Sequence, residues 1–262
     1  MNQTGPPPLA LLAAEGSRAA AELGLYLAAR PVLAHAPRGD GHPVLVLPGL
    51  GAGDLSTRVL RRYLRTRGYY VHGWRLGRNV GPTQQISDGL TTLLDRLTEQ
   101  HGQAVSVVGW SLGGIYARLL AQQNPTQIRQ VITLGSPFQL TAATPTRAKW
   151  LFNRYSHLHV TQPVSTDATY SQPLSVPATS VYSRTDGVVS WLSCLDVDGP
   201  RSENVEVIGS HCGLGHHPAV LWAVADRLAQ PEGAWGRFTA CSMAAPLFAS
   251  RDGAHPNGDV AA

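Results

Sequence analysis

A serine between two glycines is the residue of this chain best placed for covalent chemistry. Gly109, Ser111 and Gly113 lie in the segment GWSLG, between an apolar stretch that predicts a strand and a stretch that predicts a helix. A turn in that context is tight and holds the serine oxygen out above the helix N-terminus. A serine hydroxyl is a poor nucleophile unless a base takes its proton and an acid orients that base. The spacing therefore predicts Ser111 as a nucleophile with two partners elsewhere in the chain.

A carboxylate and an imidazole follow downstream at suitable positions. Asp186, in SRTDGVV, comes after a predicted strand, and His211, in GSHCGLG, comes just after the next one. The order serine, acid, histidine is one of the known chain orders of such triads. We predict Asp186 as the orienting acid and His211 as the base. The alternatives that stay open are Asp196 and Asp198 for the acid and His216 and His217 for the base.

The negative charge of a tetrahedral intermediate requires backbone N–H donors. One donor is predicted at Leu112, the residue after the nucleophile, and the other at Leu50 in the loop PGLGAG, with Gly51 as the alternative. That loop could also be a phosphate cradle, but it lacks the Lys and Ser/Thr of a P-loop. After the next strand, Arg75, Arg78 and Asn79 could bind an anionic head group or cap the loop.

Alternating strands and helices must position these residues. The hydrophobic patterns predict strands at 44–47, 69–73, 103–108, 128–134, 176–182 and 205–208. They predict helices at about 55–67, 83–101, 112–123 and 217–229, and one or two amphipathic helices within 9–35. Right-handed crossovers between such elements give an α/β fold with a mostly parallel sheet of about six strands and helices on both faces.

The same patterns divide the chain into three parts. Residues 1–36 form an N-terminal helical segment, 37–239 one α/β domain, and 240–262 a polar tail that we expect to be flexible. Within the domain, 138–175 is irregular and predicts a cap or lid over Ser111. Three aromatic residues of this insertion, Trp150, Phe152 and Tyr155, either line an acyl pocket or simply pack the insertion onto the core. Trp110, next to Ser111, adds another apolar side chain to the predicted pocket.

Composition excludes several classes of function. The chain has 262 residues and a formal charge of +4, but seven of its 21 basic residues lie between Thr57 and Arg78. The rest carries 14 basic against 17 acidic residues, which argues against a nucleic-acid partner. The arginines of residues 58–65 fit a solvated helix face, with a membrane surface as the alternative. No signal peptide or membrane-spanning segment is evident, so the expected location is cytoplasmic, with peripheral membrane association left open.

The three cysteines do not form a disulfide framework. They are Cys194, Cys212 and Cys241. One bridge between Cys194 and Cys212 stays open, because both flank the predicted site. The spacing of His and Cys matches no zinc pattern, and we expect no metal or organic cofactor.

Four motifs together resemble the α/β-hydrolase superfamily: LPGLG, GWSLG, TDGVV and GSHCGLG. Over about 43–229 the chain is most similar to bacterial esterases and lipases with a minimal sheet, and it also resembles lipase-like proteins related to GPI inositol deacylases. The resemblance implies Ser111 as nucleophile, His211 as base, Asp186 as orienter, and Leu50 and Leu112 as oxyanion donors. Two departures are a Pro-Gly where many lipases have His-Gly, and a helical segment in place of two N-terminal strands.

The chemistry expected from these residues is hydrolysis of a small-molecule ester or lipid through an acyl-enzyme. An acyltransferase or a thioesterase would use the same triad, so the sequence leaves both open. A non-catalytic scaffold that binds a ligand is the third hypothesis. Acyl chain length, head group and oligomeric state are not encoded in any pattern that we recognise.

Overall fold

The computed structural model describes residues 6–139 and 171–248, and within them six parallel strands form one sheet. The strands are β1 (Pro43–Leu47), β2 (Tyr70–Gly73), β3 (Val105–Trp110), β4 (Ile128–Leu134), β5 (Ala178–Ser183) and β6 (Ser202–Val207). Their order in the sheet is β2-β1-β3-β4-β5-β6. The chain therefore winds outward in both directions from β1, and the crevice at the carboxyl ends of β1 and β3 is the place where such sheets bind ligands.

Helices cover both faces of this sheet. They are α1 (Leu9–Leu33), α2 (Arg58–Thr66), α3 (Gln84–His101), α4 (Leu112–Gln123) and α5 (Pro218–Leu228). In β1, Val44 and Val46 point into a core with α1, α2 and α5, whereas Leu45 and Leu47 point into a core with α3 and α4. A strand that is buried on both faces explains the continuous apolar run in the sequence. The predicted α/β class, with six parallel strands and helices on both faces, is confirmed.

The N-terminal segment is one long helix whose polarity is reversed. Glu15 and Glu22 are buried, whereas several leucines on the remaining surface of α1 are exposed. The exposed leucines are Leu9, Leu23, Leu25 and Leu27. Gly16 and Gly24 do not interrupt the helix, and a Cβ at either would meet nothing within 4 Å. The two carboxylates therefore face the domain.

Parts of two predicted segments lie outside the described residues. Most of the predicted cap belongs to 140–170, and so do Trp150, Phe152 and Tyr155. Of the predicted flexible tail, residues 240–248 are described and contact the core, since Ala244 is fully buried and the ring of Phe248 lies 5.1 Å from that of Phe238. The helices of the described ranges include none long and apolar enough to cross a membrane.

Candidate active site

The turn between β3 and α4 holds Ser111 in a strained conformation. Its φ of 54° and ψ of −121° place a non-glycine residue in the positive-φ region, which costs about 1–3 kcal/mol and is commonly retained for function. The turn also requires glycine on either side. A Cβ at Gly109 would overlap the Gly113 carbonyl group, and a Cβ at Gly113 would lie 2.5 Å from the Leu47 carbonyl oxygen. The GWSLG pattern is therefore explained by close backbone contacts around the half-buried Ser111.

The loops after β5 and β6 bring Asp186 and His211 into direct contact. The Nδ1 atom of His211 lies 2.6 Å from the Oδ2 atom of Asp186, and both side chains are buried. The other carboxylate oxygen, Oδ1, accepts hydrogen bonds from the N–H groups of Val188 and Val189 at 2.7 and 2.8 Å. Because both oxygens of Asp186 are fixed, the imidazole has one preferred orientation with Nε2 directed away from the carboxylate.

The end of β4 links this pair to the serine. The N–H of Ser111 donates to the Leu134 carbonyl oxygen at 2.9 Å. At the next residue, Gly135, an added Cβ would lie 3.1 Å from His211 Nδ1 and 3.3 Å from Asp186 Oδ2. Leu134 therefore bonds the backbone of Ser111, and Gly135 lies next to the Asp186–His211 pair, so the structure places all three residues at the carboxyl edge of the sheet.

Burial and charge act in opposite directions on the imidazole of His211. Burial disfavours the charged form and is the largest single influence on the pKa. The charge and hydrogen bond of Asp186, together with the charge of Glu15, outweigh it, and the pKa of His211 is raised above 6.5. This direction suits a base that must hold a proton during the reaction.

The alternative acids and bases have other partners. Asp196 forms a buried ion pair with Arg118, with Nη1 and Oδ2 2.5 Å apart, and Asp198 lies 3.6 Å from Arg237. The Nε2 atom of His216 contacts the Ala19 carbonyl oxygen at 2.8 Å, and His217 is the buried residue directly before α5. Of the two flanking cysteines, Cys194 is buried and Cys212 exposed, and both thiols are free.

The loop after β1 is held beside the serine by Asn79. Gly49 is so close that an added Cβ would lie 3.2 Å from the Cβ of Ser111. The Nδ2 of Asn79 donates to the Pro48 carbonyl oxygen at 2.9 Å, and the main-chain carbonyl oxygen of Asn79 accepts from the Gly51 N–H at 2.6 Å. Asn79 is fully buried, so its side chain caps this loop and is not accessible to a head group.

These bonds bear on the predicted oxyanion donors. The Gly51 N–H is engaged by Asn79, which leaves Leu50 as the better candidate in this loop. Leu112 is the first residue of α4, where an N–H has no acceptor within its own helix. Within 6–139 and 171–248, the hydrogen bonds of the loops and turns include none donated by the Leu50 or Leu112 N–H.

Trp110 has a bonding role that its type alone did not predict. Its indole Nε1 donates to the His211 carbonyl oxygen at 3.1 Å, and its ring lies over Gly215, where an added Cβ would be 2.6 Å from the ring. The half-buried side chain therefore connects the serine turn to the loop that carries His211. Its predicted part in a substrate pocket stays a prediction, because the other three aromatic residues lie in 140–170.

Two carboxylates of α1 also contact the site, and the sequence reasoning missed both. Glu15 accepts hydrogen bonds from the N–H groups of Gly187, His211 and Cys212, and Glu22 accepts from the N–H and Oγ of Ser210. A usable signal was present. Glu15, Arg18 and Glu22 follow one another at spacings of three and four on a helix otherwise rich in Ala and Leu, which places its charges on one face.

Comparison with known proteins gives one partial relative in sequence. No known family profile matches the chain. A stretch of 107 residues is 33% identical to the pimeloyl-[acyl-carrier protein] methyl ester esterase of Shewanella sp. (strain MR-7). The match covers 41% of the chain and 39% of that esterase, so the chain spans about two fifths of the curated relative.

Solved structures give a broader similarity. Aspergillus fumigatus lipase B superimposes with a TM-score of 0.59 at 16% identity, covering 74% of the chain and 53% of the lipase. A putative aryl esterase from Burkholderia cenocepacia superimposes with a TM-score of 0.54 at 15% identity, covering 73% of the chain and 91% of the esterase. Together with the parallel six-stranded sheet, these similarities show that the chain has the α/β-hydrolase fold.

Proposed function

We propose that the chain is a serine carboxylic-ester hydrolase, an esterase or lipase, that works through an acyl-enzyme on Ser111. The observation that carries this proposal is the buried Asp186–His211 contact of 2.6 Å at the sheet edge where the strained Ser111 lies. The pimeloyl-[acyl-carrier protein] methyl ester esterase and the two superimposed structures, whose names are those of ester-cleaving enzymes, support the same class of reaction.

In the first half of the proposed reaction, His211 removes the Ser111 proton while the serine oxygen attacks the ester carbonyl carbon. The tetrahedral oxyanion accepts hydrogen bonds from the Leu50 and Leu112 N–H groups. When the carbon–oxygen bond to the alcohol breaks, the imidazolium of His211 donates this proton to the departing alkoxide, and an acyl-serine remains. Asp186 keeps the imidazole oriented throughout and stabilises its positive charge.

In the second half, water takes the place of the alcohol. His211 removes one proton of the water as its oxygen attacks the acyl-serine, and the same N–H donors stabilise the second oxyanion. Collapse releases the carboxylic acid and returns the proton to the serine oxygen. Every proton in this cycle is carried by the imidazole, so the proposal needs no metal or organic cofactor.

The substrate in this proposal is a small-molecule ester or lipid. The test is hydrolysis of p-nitrophenyl esters from acetate to palmitate by the purified chain, with Ser111→Ala as the control. We expect turnover to fall by about 10⁴-fold or more in the variant, because loss of the nucleophile removes the covalent route. A maximum on short chains would indicate an esterase, and a maximum on long chains a lipase.

Two other results would change the conclusion. Equal turnover by folded Ser111→Ala would exclude the proposed mechanism. Absence of turnover on every chain length would favour a thioesterase or acyltransferase with a narrow substrate, or a binding scaffold. Labelling of Ser111 by a fluorophosphonate, read by mass spectrometry, separates these cases, because only an activated serine reacts.

A further inference from the structure

We propose that Glu15 is a positioning residue, which fixes two loops to each other from a helix outside the sheet. They are the acid loop after β5, which carries Asp186, and the base loop after β6, which carries His211. The inference rests on the proposed function, since it assigns a role toward the same base. It concerns a side chain that does not contact Ser111 in any described bond and lies more than 170 positions before the loops that it binds.

The contacts of Glu15 join both loops through a single carboxylate. Oε1 accepts from the Gly187 N–H at 2.8 Å, directly after the acid Asp186, and from the His211 N–H at 3.0 Å. Oε2 accepts from the Cys212 N–H at 2.8 Å. The three donors are main-chain groups adjacent to, or part of, the acid and the base. A carboxylate with three such bonds fixes the separation of the two loops more firmly than a single neutral bond.

Helix α1 packs so closely onto these loops that two of the loop glycines have no space for a side chain. At Gly187 an added Cβ would lie 2.6 Å from the Leu11 carbonyl carbon, and at Gly213 it would overlap the carboxylate of Glu22. Arg18 adds two bonds to Thr185, from Nη1 to the carbonyl oxygen at 2.7 Å and from Nη2 to Oγ1 at 2.9 Å. One face of α1 is thus fitted to the residues on either side of the acid and the base.

A buried charge at this place has an electrostatic consequence for the base. Glu15 is only 5% exposed, and a carboxylate in such a position is costly unless its charge is used or compensated. Its negative charge favours the protonated imidazole of His211, in the same direction as Asp186. The other titratable or charged groups around His211 are Arg18 and Glu22 on α1, Cys212 beside it, and His216 and His217 before α5.

Glu22 provides a matched comparison. It is also buried on α1, and it also accepts two hydrogen bonds from the base loop, from Ser210 N–H at 2.7 Å and from Ser210 Oγ at 2.6 Å. It makes no described bond to the acid loop, and the charges that raise the pKa of His211 are those of Asp186 and Glu15. If α1 only supported the loops mechanically, Glu15 and Glu22 should matter equally. If α1 positions the acid–base pair, Glu15 should matter more than Glu22.

The test compares Glu15→Gln with Glu22→Gln in the full chain. The nearly isosteric amide keeps one oxygen acceptor and removes the charge. We expect Glu15→Gln to lower kcat by about 10- to 100-fold, with KM changed much less, because a small displacement of the base is costly. We also expect the acid limb of its pH–rate profile to move to lower pH, since the charge that favours imidazolium is gone. Glu22→Gln should leave the midpoint of that limb in place.

A second readout is independent of any ester. The titration of the His211 ring protons, followed by NMR, should move to lower pH in Glu15→Gln and stay in place in Glu22→Gln. If Glu15→Gln does not fold, Glu15→Asp serves, because it keeps the charge and should retain the wild-type midpoint at a reduced kcat. Equal midpoints in wild type and Glu15→Gln, or equal shifts in both glutamine variants, would overturn the inference. If the wild type hydrolyses no ester but the NMR titrations shift as expected, the proposed ester hydrolysis is overturned and the role of Glu15 stands.

Discussion

The indole nitrogen of Trp110 donates a hydrogen bond to the carbonyl oxygen of His211 at 3.1 Å. This bond joins the residue before the proposed nucleophile to the proposed base. Trp110→Phe keeps an aromatic ring over Gly215 but removes the indole donor, so the carbonyl oxygen keeps only the 3.5 Å bond from the Leu214 N–H. We expect the free energy of unfolding to fall by about 1 kcal/mol, and kcat to fall several-fold because the base loop loses a fixed contact. Urea unfolding and ester kinetics measure the two effects, and an unchanged kcat would contradict the argument.

The raised pKa of His211 gives a pH dependence with a definite sign. The imidazole accepts a proton from Ser111 only when neutral, so activity is lost as pH falls through its pKa, and we expect the acid limb of kcat/KM to have its midpoint above 6.5. Asp186→Asn removes the main cause of the rise, so the midpoint should move to lower pH and kcat should fall by about 10⁴-fold. A midpoint that stays in place in this variant would show that another group controls the limb.

The raised pKa of His211 also affects stability, with a pH dependence opposite to that of activity. A group whose pKa is higher in the folded than in the unfolded chain stabilises the fold fully below its unfolded pKa, and this contribution is lost as pH rises through the folded value. The contribution of His211 should therefore decrease above pH 6.5. Urea unfolding of wild type and His211→Gln across that range measures it, and the difference between them should narrow as the pH rises.

The sequence predicted most elements because their ends carry local signals. The helix at 112–123 and the strand at 128–134 have the predicted limits, since Asn124-Pro125 interrupts the chain between them. By contrast, β6 was predicted at 205–208 and occurs at Ser202–Val207. Its first residues are polar, and buried Glu203 has its partners on other segments: Arg227 at 2.9 Å, the Thr179 hydroxyl and the Phe238 N–H. No local pattern shows a partner of that kind.

The same distinction applies to the site. Ser111, Asp186 and His211 each lie in a short motif next to a strand end, and the known order of such residues was enough to select them. Glu15 contacts the His211 loop across 196 positions, and the spacing of Glu15, Arg18 and Glu22 indicates a charged face of α1 but not the loops that this face contacts. Contacts of that range follow from how α1 docks on the domain, which hydrophobic periodicity does not specify.

We predict that any side chain at position 135 would displace the acid–base pair of Asp186 and His211, because Gly135 has no space for one. An added Cβ would lie 2.7 Å from Leu214 Cδ1 and 3.1 Å from His211 Nδ1, in a backbone with a φ of +54°. Gly135→Ala should therefore lower kcat by at least tenfold and destabilise the fold. Gly102→Ala is the matched control, because its φ of +64° imposes similar backbone strain but a Cβ there meets nothing within 4 Å. Equal losses of kcat in both variants would show that strain alone is responsible.

Asn79 is predicted to act on catalysis through the loop that carries Leu50. Asn79→Ala removes the donor to the Pro48 carbonyl oxygen and the acceptor of the Gly81 N–H, and the unpaired buried groups should cost about 1–3 kcal/mol. We expect kcat to fall more than KM rises, because the proposed oxyanion donor, the Leu50 N–H, is displaced. Thr83→Ala is the control. It removes the cap of α3 at a cost of about 1 kcal/mol and should leave kcat almost unchanged.

The buried ion pair between Arg118 and Asp196 anchors the helix that follows Ser111. Both side chains are 1% exposed, and the guanidinium also lies 4.0 Å from the centre of the Phe138 ring and donates to the Gln172 carbonyl oxygen at 2.7 Å. Arg118→Met leaves a buried carboxylate without its partner, so the free energy of unfolding should fall by about 3–5 kcal/mol.

Removing both charges should cost less than removing one. In Arg118→Met/Asp196→Leu no buried charge is left unpaired, although Asp196 also accepts a bond from the Val197 N–H and the Gln172 carbonyl oxygen still loses its donor. Urea unfolding of the wild type, both single variants and the double variant completes the cycle. A double variant as unstable as the sum of the two single variants would mean that the two charges do not interact, and that the stability of this region comes from the Phe138 and Gln172 contacts.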